Sequence, residues 1–142
     1  MDFNSQMEMK GRLTISVNDE VVQEIDNLVV TAGKGYVASR MKDATTTAMS
    51  HMAVGTGSTA AAAADTTLGG ESARVALAST TVSGAVVTYV ATFPAGTGTA
   101  ALTEAAVLNA SSSGTMLCRT VFLTVNKSAN DSMSISWAVT AS

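Results

Sequence analysis

The sequence of 142 residues is poor in cysteine, proline and charged side chains. Its one cysteine, Cys118, excludes a disulfide framework within the chain, and we interpret it as a buried, inert thiol. Charged residues make up 13% of the chain, against about 25% in an average soluble protein. The net charge of −3 argues against a nucleic-acid partner, because such a partner requires a basic surface.

Aromatic residues and long apolar runs are also scarce. Only 4% of the residues are aromatic although 46% are hydrophobic, so small apolar side chains dominate and predict a thin core. No run approaches the roughly 18 apolar residues of a membrane span, and the first residues lack the features of a secretory signal. We therefore expect no membrane partner, and a weakly charged surface that other proteins largely cover.

The sequence does contain a repeated alternation of large and small side chains, clearest between Thr115 and Ala141. A period of two residues is typical of a β-strand with two different faces. Residues 126–131 are rich in turn formers and separate two such segments, which predicts an antiparallel hairpin. The large side chains of its second arm are Met133, Ile135, Trp137 and Val139.

Shorter segments with the same period predict further strands, at residues 11–17, 48–54, 71–79, 86–93 and 102–109. Residues 21–30 fit either a strand or a helix. We predict a short helix that begins at Thr31 as its capping residue and continues to Met41. A tight turn is predicted at Ser83 and Gly84.

Together these segments predict an all-β protein, an antiparallel β-sandwich or jelly-roll-like fold of about seven or eight strands. One short helix is expected near residues 31–42. We divide the chain into an N-terminal arm at residues 1–10 and a single domain at residues 11–142. The arm carries Phe3, Met7 and Met9 without a regular period, and these are our candidate contacts with a neighbouring subunit.

Residues with catalytic or metal-binding chemistry are few and scattered. The one histidine, His51, has no spacing that selects a nucleophile, so we interpret it as a structural residue. Glu71 and Glu104 could form a pair of catalytic carboxylates, as in glycan-processing enzymes. We favour an ion pair instead, with Arg74 or Arg119 as the partner of Glu104. One cysteine and one histidine do not make a metal cluster, so we expect no enzyme activity, metal or cofactor.

Three segments carry a resemblance to a known group of proteins. They are HMAVGTGSTAAAAADTTLGGESAR at 51–74, VTYVATFPAGTGTAALTEAAVLN at 87–109 and GTMLCRTVFLTVNKSANDSMSISWAVT at 114–140. Together they resemble small virion proteins of tailed bacteriophages and the modules at the head end of some phage tail fibres. In that group a helix precedes the MAVGTG segment, a place that residues 31–41 take here. The resemblance extends from Leu28 to the end of the chain.

The resemblance implies a β-sandwich that assembles into oligomers on a phage particle. Because the chain lacks the shaft repeats of a fibre, we expect a capsid cement or decoration protein. Such a protein is made in the bacterial host cytoplasm, lies on the capsid surface, and contacts copies of itself and the major capsid protein. The alternative is a tail, baseplate or fibre-attachment protein. A glycan-processing enzyme that uses Glu71 and Glu104 is the third possibility.

Overall fold

The computed structural model describes residues 8–142, which form nine β-strands and one α-helix. In chain order the elements are β1 (Met9–Val17), β2 (Glu20–Val29), α1 (Thr31–Lys42), β3 (His51–Gly55), β4 (Glu71–Ala76), β5 (Ser79–Ser83), β6 (Val86–Phe93), β7 (Ala100–Leu108), β8 (Met116–Lys127) and β9 (Met133–Ala141). All neighbouring strands are antiparallel. The predicted all-β antiparallel fold with one short helix is confirmed, although the described residues form nine strands rather than seven or eight.

The strands form one continuous sheet with the order β4-β3-β7-β8-β2-β1-β9-β6-β5. The sheet curls, so that β4 and β6, from its opposite halves, come into contact. The curled inner face encloses the main core, in which Phe93 and Trp137 of one half join Met52 and Leu102 of the other. The two halves meet where β2 pairs with β8. This strand pair comprises two residue pairs, fewer than any other pair of neighbouring strands in the sheet. The fold is therefore a single sandwich-like sheet.

The two edge strands of this sheet, β4 and β5, are consecutive in the chain and lie two residues apart. The connecting residues are bonded to both halves of the sheet. The Leu77 N–H donates to the Ser50 carbonyl at 2.9 Å, and the Ala78 N–H donates to the Val90 carbonyl at 2.7 Å. The single strand predicted for residues 71–79 is therefore bent, as expected for a strand that turns the corner of a sandwich.

The prediction that residues 115–141 form a hairpin is wrong. Both segments are strands, but the β1–β2 hairpin lies between them, so β8 pairs with β7 and β2 while β9 pairs with β1 and β6. The linker between β8 and β9 passes the β1–β2 turn, where the Asn18 amide donates to the Asp131 carboxylate at 2.9 Å. Asn18 and Asp19 have φ angles of 51° and 68°, the left-handed conformation that both central residues of a two-residue type I′ hairpin turn adopt.

Helix α1 packs against β8, and its prediction is confirmed. Thr31 is the first helical residue rather than the cap, because the cap position is taken by Val30, whose side chain accepts no hydrogen bond. Gly33 approaches the Leu117 carbonyl so closely that a Cβ atom would overlap it, which explains a glycine inside a helix. Residues 21–30, which fitted either structure, belong almost entirely to strand β2.

The N-terminal arm can be placed only in part, since residues 1–7 lie outside the described residues. The candidate contacts Phe3 and Met7 are among them. Met9, the third candidate, is a residue of strand β1, half-buried, and packs against the main core. Just before it, Glu8 and Ser142 exchange two backbone hydrogen bonds of 2.7 and 2.9 Å, which hold residue 8 beside the end of β9.

Candidate functional site

Residues 56–70 form a loop, the outer loop, that covers part of the outer face of the sheet. Leu68, in this loop, is 8% exposed and packs on a second, smaller group of apolar side chains. Strands β3 and β7 are thus buried on both faces, as their nearly continuous apolar sequences suggest. The other buried members of the group are Val30, Ala53, Ala106, Leu108 and Met116.

Glu104 of strand β7 holds both ends of this loop. Its side chain is fully buried. The carboxylate accepts hydrogen bonds from the backbone N–H groups of Gly57 at 2.6 Å, Gly69 at 2.8 Å and Gly70 at 2.7 Å. The neighbouring Thr103 hydroxyl donates to the Gly57 carbonyl at 2.7 Å. The two ends of the loop therefore meet at a single side chain.

The glycines around this carboxylate are required by its close approach. A Cβ atom on Gly57 would overlap the Glu104 carboxylate, and one on Gly55 would overlap the Gly70 carbonyl oxygen. The GTG segment, at one end of the loop, leaves the space that the carboxylate fills, and the LGG segment, at the other end, supplies two of its N–H donors. They are the local signal from which this anchor could have been found in the sequence.

Arg119 of strand β8 is the cationic partner of Glu104. Its side chain is 3% exposed and donates to Glu104 Oε1 from Nε at 3.3 Å and from Nη2 at 3.0 Å. It also donates to Asp65 Oδ2 at 2.8 Å and to the Thr59 carbonyl at 2.9 Å. One guanidinium thus joins β7 to the middle of the loop. The expected ion pair is confirmed, whereas the contacts with Asp65 and Thr59 were not anticipated.

The environment of Glu104 keeps its side chain ionised. Burial raises the pKa of this carboxyl, but the hydrogen bonds from Gly69, Gly70, Arg119 and Gly57 together outweigh burial and lower the pKa below its usual value. A carboxylate has about four acceptor positions, and these donors occupy them. The chemistry of this arrangement is therefore that of a fixed anion that positions a loop and balances a buried arginine.

Glu71 and Arg74 form a second, more exposed ion pair on the edge strand β4. Arg74 Nη2 lies 2.7 Å from Glu71 Oε1. Arg74 Nη1 also donates to the carbonyls of Ala110 and Ser113, both at 2.9 Å, and so ties β4 to the segment before β8. Glu71 and Glu104 each have an arginine of their own, and of the two candidate partners of Glu104 it is Arg119 that pairs with it.

His51 and Cys118 lie on different strands and have different surroundings. His51 is half-buried, and its Nδ1 lies 2.8 Å from the Ser50 hydroxyl oxygen. Cys118 is fully buried in the main core, and burial raises the pKa of its thiol, which fits an inert side chain. Within residues 8–142, no three side chains of the types that bind metals lie together.

An apolar groove of about 320 Å³ opens between α1 and the inner face of the sheet. Helix α1 forms one wall and the ends of β1, β6 and β9 form the other. Arg40 is the one charged residue that the described lining includes. Apolar side chains of the lining include Met9, Tyr36, Val37, Met41, Val87 and Val139.

Comparisons with family models, with curated proteins and with solved structures find no match to this chain. Helix α1 has twelve residues, and no helix in the described part of the chain is long and apolar enough to cross a membrane.

Proposed function

We propose that this chain is a structural protein of a bacteriophage particle that stabilises the head by bridging capsid subunits. Its partners on this proposal are copies of itself and the major capsid protein, on the outer surface of the capsid. Two observations support the proposal. One is the resemblance to phage virion proteins, which extends from Leu28 to the end of the chain. The other is the apolar character of the exposed surface.

The resemblance includes the residues that build the outer loop. The GTG and LGG segments lie within the first resembling stretch, and Glu104, which they surround, lies within the second. These residues therefore specify one feature together, a loop anchored on the outer face of a sheet. A chain that shares them is expected to share that feature of the fold, and this supports membership of the same structural group.

The observation that carries the proposal is the exposure of large apolar side chains. Leu123 is 80% exposed, Met41 76% and Val82 72%, and they lie on β8, α1 and β5. Apolar surface is less costly in a contact with another molecule than in water, which favours covered positions for these side chains. With 13% charged residues, the surface also has few charges that would keep copies apart. Such a surface suits a protein that neighbours cover on several sides.

Contact energies explain why bridging matters for this role. A contact that buries about 400 Å² of apolar area contributes about 10 kcal/mol at about 25 cal/mol per Å². Association itself costs about 4–15 kcal/mol, so one such contact is barely stable. Contact with a second capsid subunit is then intramolecular and adds its full contribution, which makes attachment firm. Each bridge also opposes separation of the two subunits.

Binding to assembled heads tests the proposal. Purified protein is added to heads from which it has been removed, and saturable co-sedimentation is expected. The double variant Met41→Asp/Leu123→Asp should bind more weakly. The double variant Ser111→Asp/Ser112→Asp adds the same charge at exposed polar positions and should bind like the original protein. Failure of the unmodified protein to bind heads would overturn the proposal.

A role in the tail, the baseplate or fibre attachment is the second candidate, because the resemblance also includes modules at the head end of tail fibres. Electron microscopy of intact particles separates the two roles. Density for this chain on the capsid lattice supports the cement role, and density at the tail or fibre junction replaces it with the alternative.

A further inference from the structure

The described chain begins at the apolar groove. Backbone hydrogen bonds between Glu8 and Ser142 hold residue 8 in the sheet, and the next residue, Met9, lines the groove. The seven residues before Glu8 lie outside the described residues and include Phe3 and Met7. Two large apolar side chains are thus joined through a short length of chain to the edge of an apolar groove.

We propose that the groove of one molecule binds residues 1–7 of a second copy, with Phe3 as the main anchor. This inference rests on the assembly role proposed above and names the surface through which copies meet. The groove, of about 320 Å³, lies at the small end of binding pockets and suits one or two side chains. Tyr36 and Met41 provide an aromatic ring and a thioether, both favourable neighbours for a phenyl ring.

Strand geometry favours a second copy over the same molecule as the donor. Strand β1 pairs with β9 along its whole length, and the pairing continues to Glu8 and Ser142. At Glu8, β1 therefore points beyond the end of β9. Seven extended residues span up to about 25 Å, enough to reach a neighbour. To enter the groove of its own molecule, the same segment would have to reverse direction within those seven residues.

Charge at a neighbouring groove is consistent with this occupant. A second groove of about 550 Å³ shares part of its lining with the first, and its charged lining residues are Glu8, Lys10 and Lys34. Lys10 lies 3.3 Å from Glu8, whereas the exposed Lys34 forms no ion pair with residues 8–142. Asp2 is the one charged side chain of residues 1–7 and directly precedes Phe3. With Phe3 in the apolar groove, Asp2 lies within reach of a lysine.

Disulfide trapping between two variants tests the proposal. Phe3→Cys and Met41→Cys are purified separately, mixed at equal concentration and oxidised. Leu123→Cys is the matched control, because Leu123 is 80% exposed against 76% for Met41 but lies outside the groove. The native Cys118 is fully buried and does not compete. We expect at least about tenfold more mixed dimer with Met41→Cys than with the control, because binding raises the local thiol concentration.

Two results would overturn the proposal. One is an equal yield of mixed dimer from Met41→Cys and Leu123→Cys. The other is an internal disulfide in the double variant Phe3→Cys/Met41→Cys at high dilution, which would show that the segment occupies the groove of its own molecule. Light scattering adds a readout without oxidation: Phe3→Ser should lower the average mass at a fixed concentration, and an unchanged mass would contradict the proposal.

The head-binding experiment keeps this inference separate from the proposed function. Mixed dimers without head binding support the groove contact and reject the cement role. Head binding without mixed dimers supports the cement role and rejects the groove contact.

Discussion

At the scale of single residues, the outer loop depends on Glu104. This carboxylate is fully buried, binds three backbone N–H groups and pairs with Arg119. A buried charge is tolerated only with a nearly complete set of partners. Removing the carboxylate would therefore leave the N–H groups and the guanidinium buried without an acceptor.

Replacing Glu104 with glutamine tests this dependence, because the change keeps the size but turns one acceptor into an NH₂ donor. We expect the free energy of unfolding to fall by about 3–5 kcal/mol, the usual cost of breaking a buried ion pair. The matched control is Glu71→Gln, whose side chain is 37% exposed and which should cost less than about 1 kcal/mol. Urea unfolding followed by Trp137 fluorescence measures both variants. Equal losses would contradict the special role of Glu104.

Acid should weaken the fold through the same residue. Because folding lowers the pKa of Glu104, the ionised carboxylate contributes stability above its ordinary pKa of 4.5, and this contribution is lost as the pH falls through the lowered pKa. We expect a smaller acid loss in Glu104→Gln. Some loss remains, since hydrogen bonds from Lys42 and Asn18 also lower the pKa of Asp43 and Asp131, respectively. Urea unfolding at about pH 7, 5 and 3 gives the change of the unfolding free energy with pH for the unmodified protein and for Glu104→Gln. Equal changes in the two proteins would refute the assignment to Glu104.

At the scale of elements, the two glycines of α1 should respond to alanine with opposite signs. In Gly33→Ala the new Cβ would meet the Leu117 carbonyl, and we expect a loss of about 1–3 kcal/mol from overpacking. A Cβ at Gly35 has no neighbouring atom within 4 Å, so Gly35→Ala should stabilise the helix by about 0.5–1 kcal/mol. Thermal unfolding measures both changes. A shift of the same sign in both would show that α1 does not pack on β8 as described.

The strands and most of the helix could be predicted from the sequence because the spacing of apolar residues is a local property, although the predicted cap Thr31 is not the capping residue. Strand β6 matches its predicted range of residues 86–93. The neighbours of each strand could not be predicted, as β8 and β9 show. A short polar linker is equally compatible with a hairpin turn and with a crossing over another hairpin. The choice depends on distant contacts, such as the pairing of Leu13 in β1 with Trp137 in β9.

The anchor site was predictable only in part, for a similar reason. Glu104 stands out as a charge among small apolar residues, and such a residue needs a cation. The contribution of Asp65 depends on the path of the outer loop, which has no periodic pattern. Lys127 was missed altogether: it is 2% exposed and donates to the Pro94 carbonyl at 2.9 Å. Register shifts between β7 and β8 change which face each residue of β8 occupies, and sequence alternation does not show them.

At the scale of the whole molecule, the curled sheet is closed on one side by the chain itself. Its outermost strands β4 and β5 are joined by Leu77 and Ala78, whose N–H groups bind opposite halves of the sheet. Separation of β5 from β6 therefore pulls directly on β4. The two edges are expected to open as one cooperative unit rather than to fray independently.

Hydrogen exchange of the backbone amides tests this coupling. We expect similar opening free energies for β4 and β5 in the unmodified protein. Insertion of about six glycine and serine residues between Leu77 and Ala78 supplies slack chain, so β5 should then exchange faster while β4 keeps its protection. Faster exchange of β5 before any insertion would show that the edges are not coupled.

The covalent connection between the edges also decides where the molecule yields under tension. On the proposed role, the pressure of packaged DNA stretches the proteins that bridge capsid subunits. At the bend, peptide bonds carry that load. On the opposite side, β2 and β8 share two residue pairs, and the Gln23 side chain bonds the Leu123 backbone where a strand partner would otherwise be. Rupture should start between β2 and β8, so the contact between these two strands sets the mechanical strength of the molecule.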